Sequence, residues 1–167
     1  MSKLKGLNKL TREINKFTQE EFGVTCRFGK EFEAYTAKNL IHYTILIDTD
    51  LQDTFFADVH RRFADIEASD FIWLLMHEIG HCQTDYMWDN EDEVFFARQK
   101  KTMDKTAIKD DVIAKNEWYH SIPDEYFATK WAGEYMRENP LKVKKFNKKF
   151  NKAFEEFIAK NEIEVDN

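Results

Sequence analysis

Residues Trp73–Asp85 read WLLMHEIGHCQTD and place His77, Glu78 and His81 in the spacing HExxH. On a helix, residues four positions apart share one face roughly 6 Å apart along the axis, so both imidazoles can reach one tetrahedral zinc ion at about 2.0–2.1 Å. Glu78 follows His77 directly and cannot join that coordination, but it can reach a water there as general base. Leu74, Leu75, Met76, Ile79 and Cys82 are uncharged flanks suited to a buried helix, while Gln83 stands where an apolar residue is more common. Upstream, Ser69 is expected as the N-cap and Asp70 as a first-turn acid.

A catalytic zinc site takes three protein ligands plus water, so a third ligand is needed. Ser121-Ile122-Pro123-Asp124-Glu125 reads as a helix start, with Ser121 at the N-cap, Pro123 in the first turn and Asp124 at N3. The helix is expected to run through Tyr126 to about Arg137. Glu125, Ala128, Thr129 and Ala132 fall on one stripe, a carboxylate followed by small side chains that permit close packing on another helix. Gly80 removes a side chain where such an approach would occur. Glu125 is therefore the expected third ligand and His120 its competitor; the plainer alternative is that Glu125 only complements a helix N-terminus. Asp85 would extend the series to i+8, spreading three ligands over roughly 12 Å of helix, too far to converge. His42 and His60 read as ordinary strand or surface histidines.

The chain has 167 residues, 43% hydrophobic and 15% aromatic, with five Gly and two Pro. These figures suit one domain, 1–167, with a core rich in phenylalanine. A net charge of −6 argues against nucleic acid as a partner. Cys26 and Cys82 lack CxxC spacing and are expected as reduced thiols in a cytoplasm. MSKLKGLNKL has no apolar core of a signal peptide, and no stretch approaches a membrane span, so neither export nor a membrane anchor is expected.

Leu4, Leu7, Leu10, Ile14, Phe17 and Phe22 give an amphipathic helix closed by Gly23. Val24–Phe28 and Glu31–Tyr35 read as two short strands around a tight turn, and Leu40–Asp48 as a third and strongest strand. Phe55, Phe56, Val59, Phe63 and Ile66 follow helical spacing. Residues 89–117 form one or two exposed, charge-rich helices with Val94, Phe95, Phe96, Ala107, Ile108, Val112 and Ile113 as apolar islands; such a stretch is usually a solvated face. After Pro140, a helix over about 140–161 carries Phe146, Phe150, Ala153, Phe154, Phe157 and Ile158 at helical spacing, with lysines on the remainder. It reads as a core-docking helix with a solvated basic face.

HEIGH followed downstream by Glu125-Tyr126-Phe127-Ala128-Thr129-Lys130-Trp131-Ala132 resembles the gluzincin branch of the zincin metallopeptidases. The likeness is to small bacterial and phage-type members with HExGH and a later E-x-x-A-(D/N)-x-x-A helix. The resemblance implies His77, His81 and Glu125 as zinc ligands and Glu78 as catalytic base. It also implies a zincin-like α+β fold: a small sheet of about three or four strands packed against the active-site helix, the rest mostly helical. An extended substrate would then pair with an edge strand, for which residues 40–48 are the best match. Thr129 departs from the pattern, which has Asp or Asn there; a hydroxyl can accept the same imidazole N–H, less strongly.

The expected activity is zinc-dependent peptide hydrolysis on a protein or peptide substrate, with Glu78 taking the water proton and returning it to the leaving amine. Tyr119 and His120, ahead of Tyr126 and Tyr86, are the preferred oxyanion donors. The alternative is a non-catalytic zinc-containing module whose basic C-terminal helix contacts a partner. Glu78 separates the two, because a structural site has no use for a base beside its water.

Overall fold

The computed structural model describes residues 7–29, 33–36, 43–48, 68–103 and 112–161. Leu4, His42, Ala107, Ile108, His60 and the helix expected over Phe55–Ile66 lie outside the described residues. The chain divides into two compact units, Met1–Asp50 with Asn139–Asn167, and Leu51–Glu138.

In the first unit, α1 (Leu7–Phe22) buries Leu10, Ile14 and Thr18, the four-residue stripe of an amphipathic helix. Gly23 ends it at φ 70°, its N–H bonded to Gln19 O at 3.2 Å; this left-handed cap favours glycine because it has no Cβ. β1 (Val24–Gly29), β2 (Glu33–Thr36) and β3 (Tyr43–Asp48) form one sheet in the order β1-β3-β2, with β1 parallel and β2 antiparallel to β3. α1 packs on β1 and grips its outer edge. The Asn15 amide donates to Cys26 O at 2.8 Å and accepts from Cys26 N at 2.6 Å, and Thr18 Oγ1 donates to Val24 O at 2.8 Å. The Cys26 thiol is buried against Thr18, and that burial pushes its pKa up to about 12.

The last helix, Pro140–Asn161, also belongs to this unit and packs on α1. It buries Val143, Phe146, Phe150, Ala153 and Phe157 and exposes Lys142, Lys144, Lys145, Lys148, Lys149 and Lys152. Phe146 stacks on Phe17 with ring centroids 4.1 Å apart, a pairing that adds about 0.5–1.5 kcal/mol beyond its burial. Lys142 to Glu21 at 2.6 Å and Lys9 to Glu156 at 2.5 Å flank the contact.

In the second unit, α2 (Asp70–Thr84) carries the HExxH motif and buries Ile72, Trp73, Leu75, Met76, Ile79 and Cys82. Ser69 occupies the N-cap position in extended geometry but makes no side-chain capping bond. Thr84 Oγ1 bonds Gly80 O at 2.9 Å, and a short 3-10 turn, Asp85–Met87, follows. Asp89 then starts α3 (Asn90–Met103): its Oδ1 accepts from Glu91 N and Asp92 N at 2.8 and 3.0 Å, while Asp92 Oδ2 accepts from Asp89 N at 3.2 Å. This reciprocal cap explains why so charged a segment is helical. α4 (Val112–Tyr119) leads through a turn into α5 (Pro123–Glu138), and the last helix becomes α6. Ser121 does not cap α5 as expected. Its hydroxyl donates back to Trp118 O at 2.6 Å, and Ile122 holds the cap position, its carbonyl accepting from Tyr126 N at 2.9 Å.

The fold expectation is corrected by this arrangement. The sheet belongs with α1 and α6, whereas the HExxH helix lies in the other unit and packs on α5. α2 packs closely on α5 because Gly80 lets the two backbones meet: a Cβ on Gly80 would stand 2.9 Å from both Cα and C of Ala128. β1 and β2 are not hydrogen-bonded neighbours, because β3 lies between them. That also corrects the choice of residues 40–48 as a substrate-pairing edge. Both sides of β3 are used, and its consecutive apolar residues suit an interior strand.

Candidate metal centre

α2 and the first turns of α5 deliver four side chains to one point. His77 and His81 project from one face of α2, and Glu125 and Thr129, one turn apart on α5, face them across the Gly80–Ala128 contact. His77 Nε2 lies 3.0 Å from Glu125 Oε2 and 3.1 Å from His81 Nε2, and His81 Nε2 lies 3.4 Å from the same oxygen. Among the described residues, these three form the group whose ligand atoms all lie within 4.8 Å of one another. Four ligands held tetrahedrally at about 2.0–2.1 Å from a zinc ion stand roughly 3.3 Å apart. The observed separations of 3.0–3.4 Å bracket that spacing.

The chemistry of the donors agrees with the spacing. Thr129 Oγ1 lies 3.1 Å from His77 Nδ1; a proton on Nδ1 donated to that hydroxyl leaves Nε2 with the lone pair a metal needs. Two imidazole nitrogens and a carboxylate oxygen that converge this closely need a cation or a proton between them. Burial opposes charge on both His81 and Glu125, but their mutual attraction outweighs it. Glu125 is held well below the ordinary carboxylate range by His81 and His77, and His81 is raised by Glu125 and, less strongly, by Glu78.

The walls differ in access. The side chains of His77 and Glu125 are 5% and 1% exposed, while that of His81 keeps 22%, so the centre opens on the His81 side. Glu78, also on α2, is half-buried and acts electrostatically on both His81 and Tyr119. Tyr119 is driven upward by burial and then by the Glu125 carboxylate, so its phenol remains a protonated donor. His120 is buried in the turn before α5, its ring 6.2 Å from that of His77 and 5.4 Å from that of Tyr119. Burial, and then the neighbouring His77 and His81 rings against the pull of Glu125, lower its pKa to about 4. His120 is outside the three-residue group, and Asp85 sits at the C-terminal end of α2. Tyr86 and Tyr126 are exposed by 85% and 42%, whereas Tyr119 is half-buried and His120 buried.

Lys100 is the participant that sequence reasoning missed. From α3 its Nζ donates to Glu125 Oε1 at 2.5 Å and to Asp124 Oδ2 at 2.7 Å, and stands 5.5 Å from the Tyr119 ring centre. Its sequence neighbourhood, ARQKKTM, reads only as a solvated charged face. Both free cysteines, Cys26 and Cys82, are buried and outside the group. Comparison with known proteins gives no match: no family model fits the chain, and no curated protein and no solved structure matches it. No helix among the described residues is long and apolar enough to cross a membrane.

Proposed function

We propose that this chain is a zinc-dependent peptidase of the HExxH type, with His77, His81 and Glu125 as metal ligands and Glu78 as the catalytic base. The observation that carries this reading is the convergence of His77 Nε2, His81 Nε2 and Glu125 Oε2 at the mutual spacing of a tetrahedral zinc site. Zinc bound by these residues supplies Lewis acidity and a nucleophile from water near neutral pH. Glu78 takes the proton of the attacking water and delivers it to the leaving amine, which requires a carboxylate near the ligands but not among them. His120, buried and kept neutral, would donate a hydrogen bond to the oxygen that gains charge, and Tyr119, kept protonated with its phenol bonded to Glu125, would join it by turning from that carboxylate. Substrate would approach from the side of His81, the most exposed of the three ligands, while His77 and Glu125 are shielded.

The runner-up is a non-catalytic zinc module that contacts a partner through the exposed lysines of α6. Glu78→Gln distinguishes them. Zinc content and fold are expected to persist while cleavage of a peptide library falls by about 10²–10⁴, the usual contribution of a positioned base. Cleavage undiminished in that variant sinks the mechanism. A zinc-loaded wild type without detectable cleavage favours the module.

A further inference from the structure

The two oxygens of Glu125 face different partners. Oε2 meets His77 Nε2 and His81 Nε2 at 3.0 and 3.4 Å, whereas Oε1 accepts a charge-assisted bond from Lys100 Nζ at 2.5 Å. Lys100 is fixed in turn by Asp124 Oδ2 at 2.7 Å, and the other oxygen of Asp124 accepts from Glu125 N at 3.0 Å. The ammonium therefore sits in a closed loop of bonds with the first turn of α5. A carboxylate whose second oxygen is held this way must break an ion pair before it can grip a metal with both.

We propose that Lys100 is a positioning residue that confines Glu125 to one-oxygen coordination and so tunes the centre for a small, four-coordinate ion over ions that take more oxygen ligands. The inference rests on the metal reading above and adds a selectivity device to it. Zinc accepts two imidazoles, one carboxylate oxygen and one open position. Manganese prefers octahedral sites richer in oxygen, and a freed Oε1 would favour it.

The test uses the purified full chain, Lys100→Met, which removes the charge at similar length, and Lys100→Arg, which restores it. Cobalt(II) serves as a spectroscopic stand-in, and zinc and manganese are titrated against a competing chelator. Wild type and Lys100→Arg are expected to show the intense visible bands of four-coordinate cobalt, and Lys100→Met the weaker bands of higher coordination. The manganese-to-zinc affinity ratio in Lys100→Met is expected to rise on the order of tenfold, the lower end of what loss of a ligand's hydrogen-bond partner does. An unchanged spectrum and ratio in Lys100→Met overturns the proposal. If that variant does not fold, a crystal structure of zinc-loaded wild type decides. Lys100 on Oε1 with zinc on Oε2 supports the role, and Glu125 chelating through both oxygens refutes it. Failure of wild type to take up any metal instead refutes the metal reading itself, before Lys100 enters.

Discussion

Gly80→Ala puts one methyl group where two helices touch. The added Cβ would lie 2.9 Å from Ala128 Cα and C, with the Ala128 carbonyl oxygen closer still, against about 3.5–4.0 Å for relaxed carbon contacts. The obstacle is backbone, so α2 and α5 must separate by roughly 0.5–1 Å to relieve it. Alanine gains roughly 0.5–1 kcal/mol over glycine inside a helix, but overpacking costs about 1–3 kcal/mol, which leaves a net loss of about 0–2.5 kcal/mol, centred on roughly 1 kcal/mol. The functional effect is larger than the stability effect. Glu125 and Thr129 ride on the helix that moves, and a metal site tolerates only about 0.2 Å of error in its ligand distances. Zinc affinity is expected to fall by about 10–100-fold. Urea denaturation in chelator measures the first quantity, and zinc titration against a chromophoric chelator the second. A variant stabilised by the helix-propensity gain, with zinc affinity unchanged, would refute the claim that this contact sets the ligand geometry.

Glu125→Ala removes one of the three proposed ligands and is expected to weaken zinc binding strongly, while His120→Ala is expected to leave it nearly intact; chelator competition on both variants checks this, and the reverse result would make the proposed site His₃. The pH dependence splits in two. In the metal-free protein, His81 is raised, so its contribution is full below the ordinary histidine value and is lost as pH rises through the folded one; Glu125 is depressed, so its contribution is lost only as pH falls through its own low value. Zinc competes with the His81 proton, so its affinity is expected to rise as pH climbs above the ordinary histidine value while metal-free stability declines; melting curves with and without chelator test both slopes. With its pKa near 12, the Cys26 thiol is expected to resist alkylation at about pH 8 until the chain unfolds; rapid native labelling at Cys26 would contradict its burial.

HExxH could be read because its geometry is local: four residues of helix fix both histidines whatever surrounds them. Glu125 was within reach for the same reason, since Pro123 and the small residues Ala128 and Ala132 mark a helix start and a packing stripe. Capping was harder, because the Ser121 hydroxyl could turn either way and Trp118 O, a tertiary detail of the preceding turn, claimed it. Strand order was out of reach. Nothing in Val24–Gly29 or Glu33–Thr36 announces that β3 separates them, since pairing depends on partners distant in sequence. Lys100 illustrates the same limit at the site: a lysine in a charged run carries no mark of the carboxylate it will meet across the fold.

Asn15 has a consequence for how this chain behaves in company. A strand at the margin of a sheet presents unpaired N–H and C=O groups that can recruit a strand from another molecule. On β1 the Cys26 position offers neither, because the Asn15 amide, built like a peptide group, already occupies both. It acts as a one-residue counterfeit strand that terminates the ladder. Asn15→Leu would reopen that margin, and concentrated samples of the variant should then assemble edge to edge more readily than the parent, by light scattering at matched concentration.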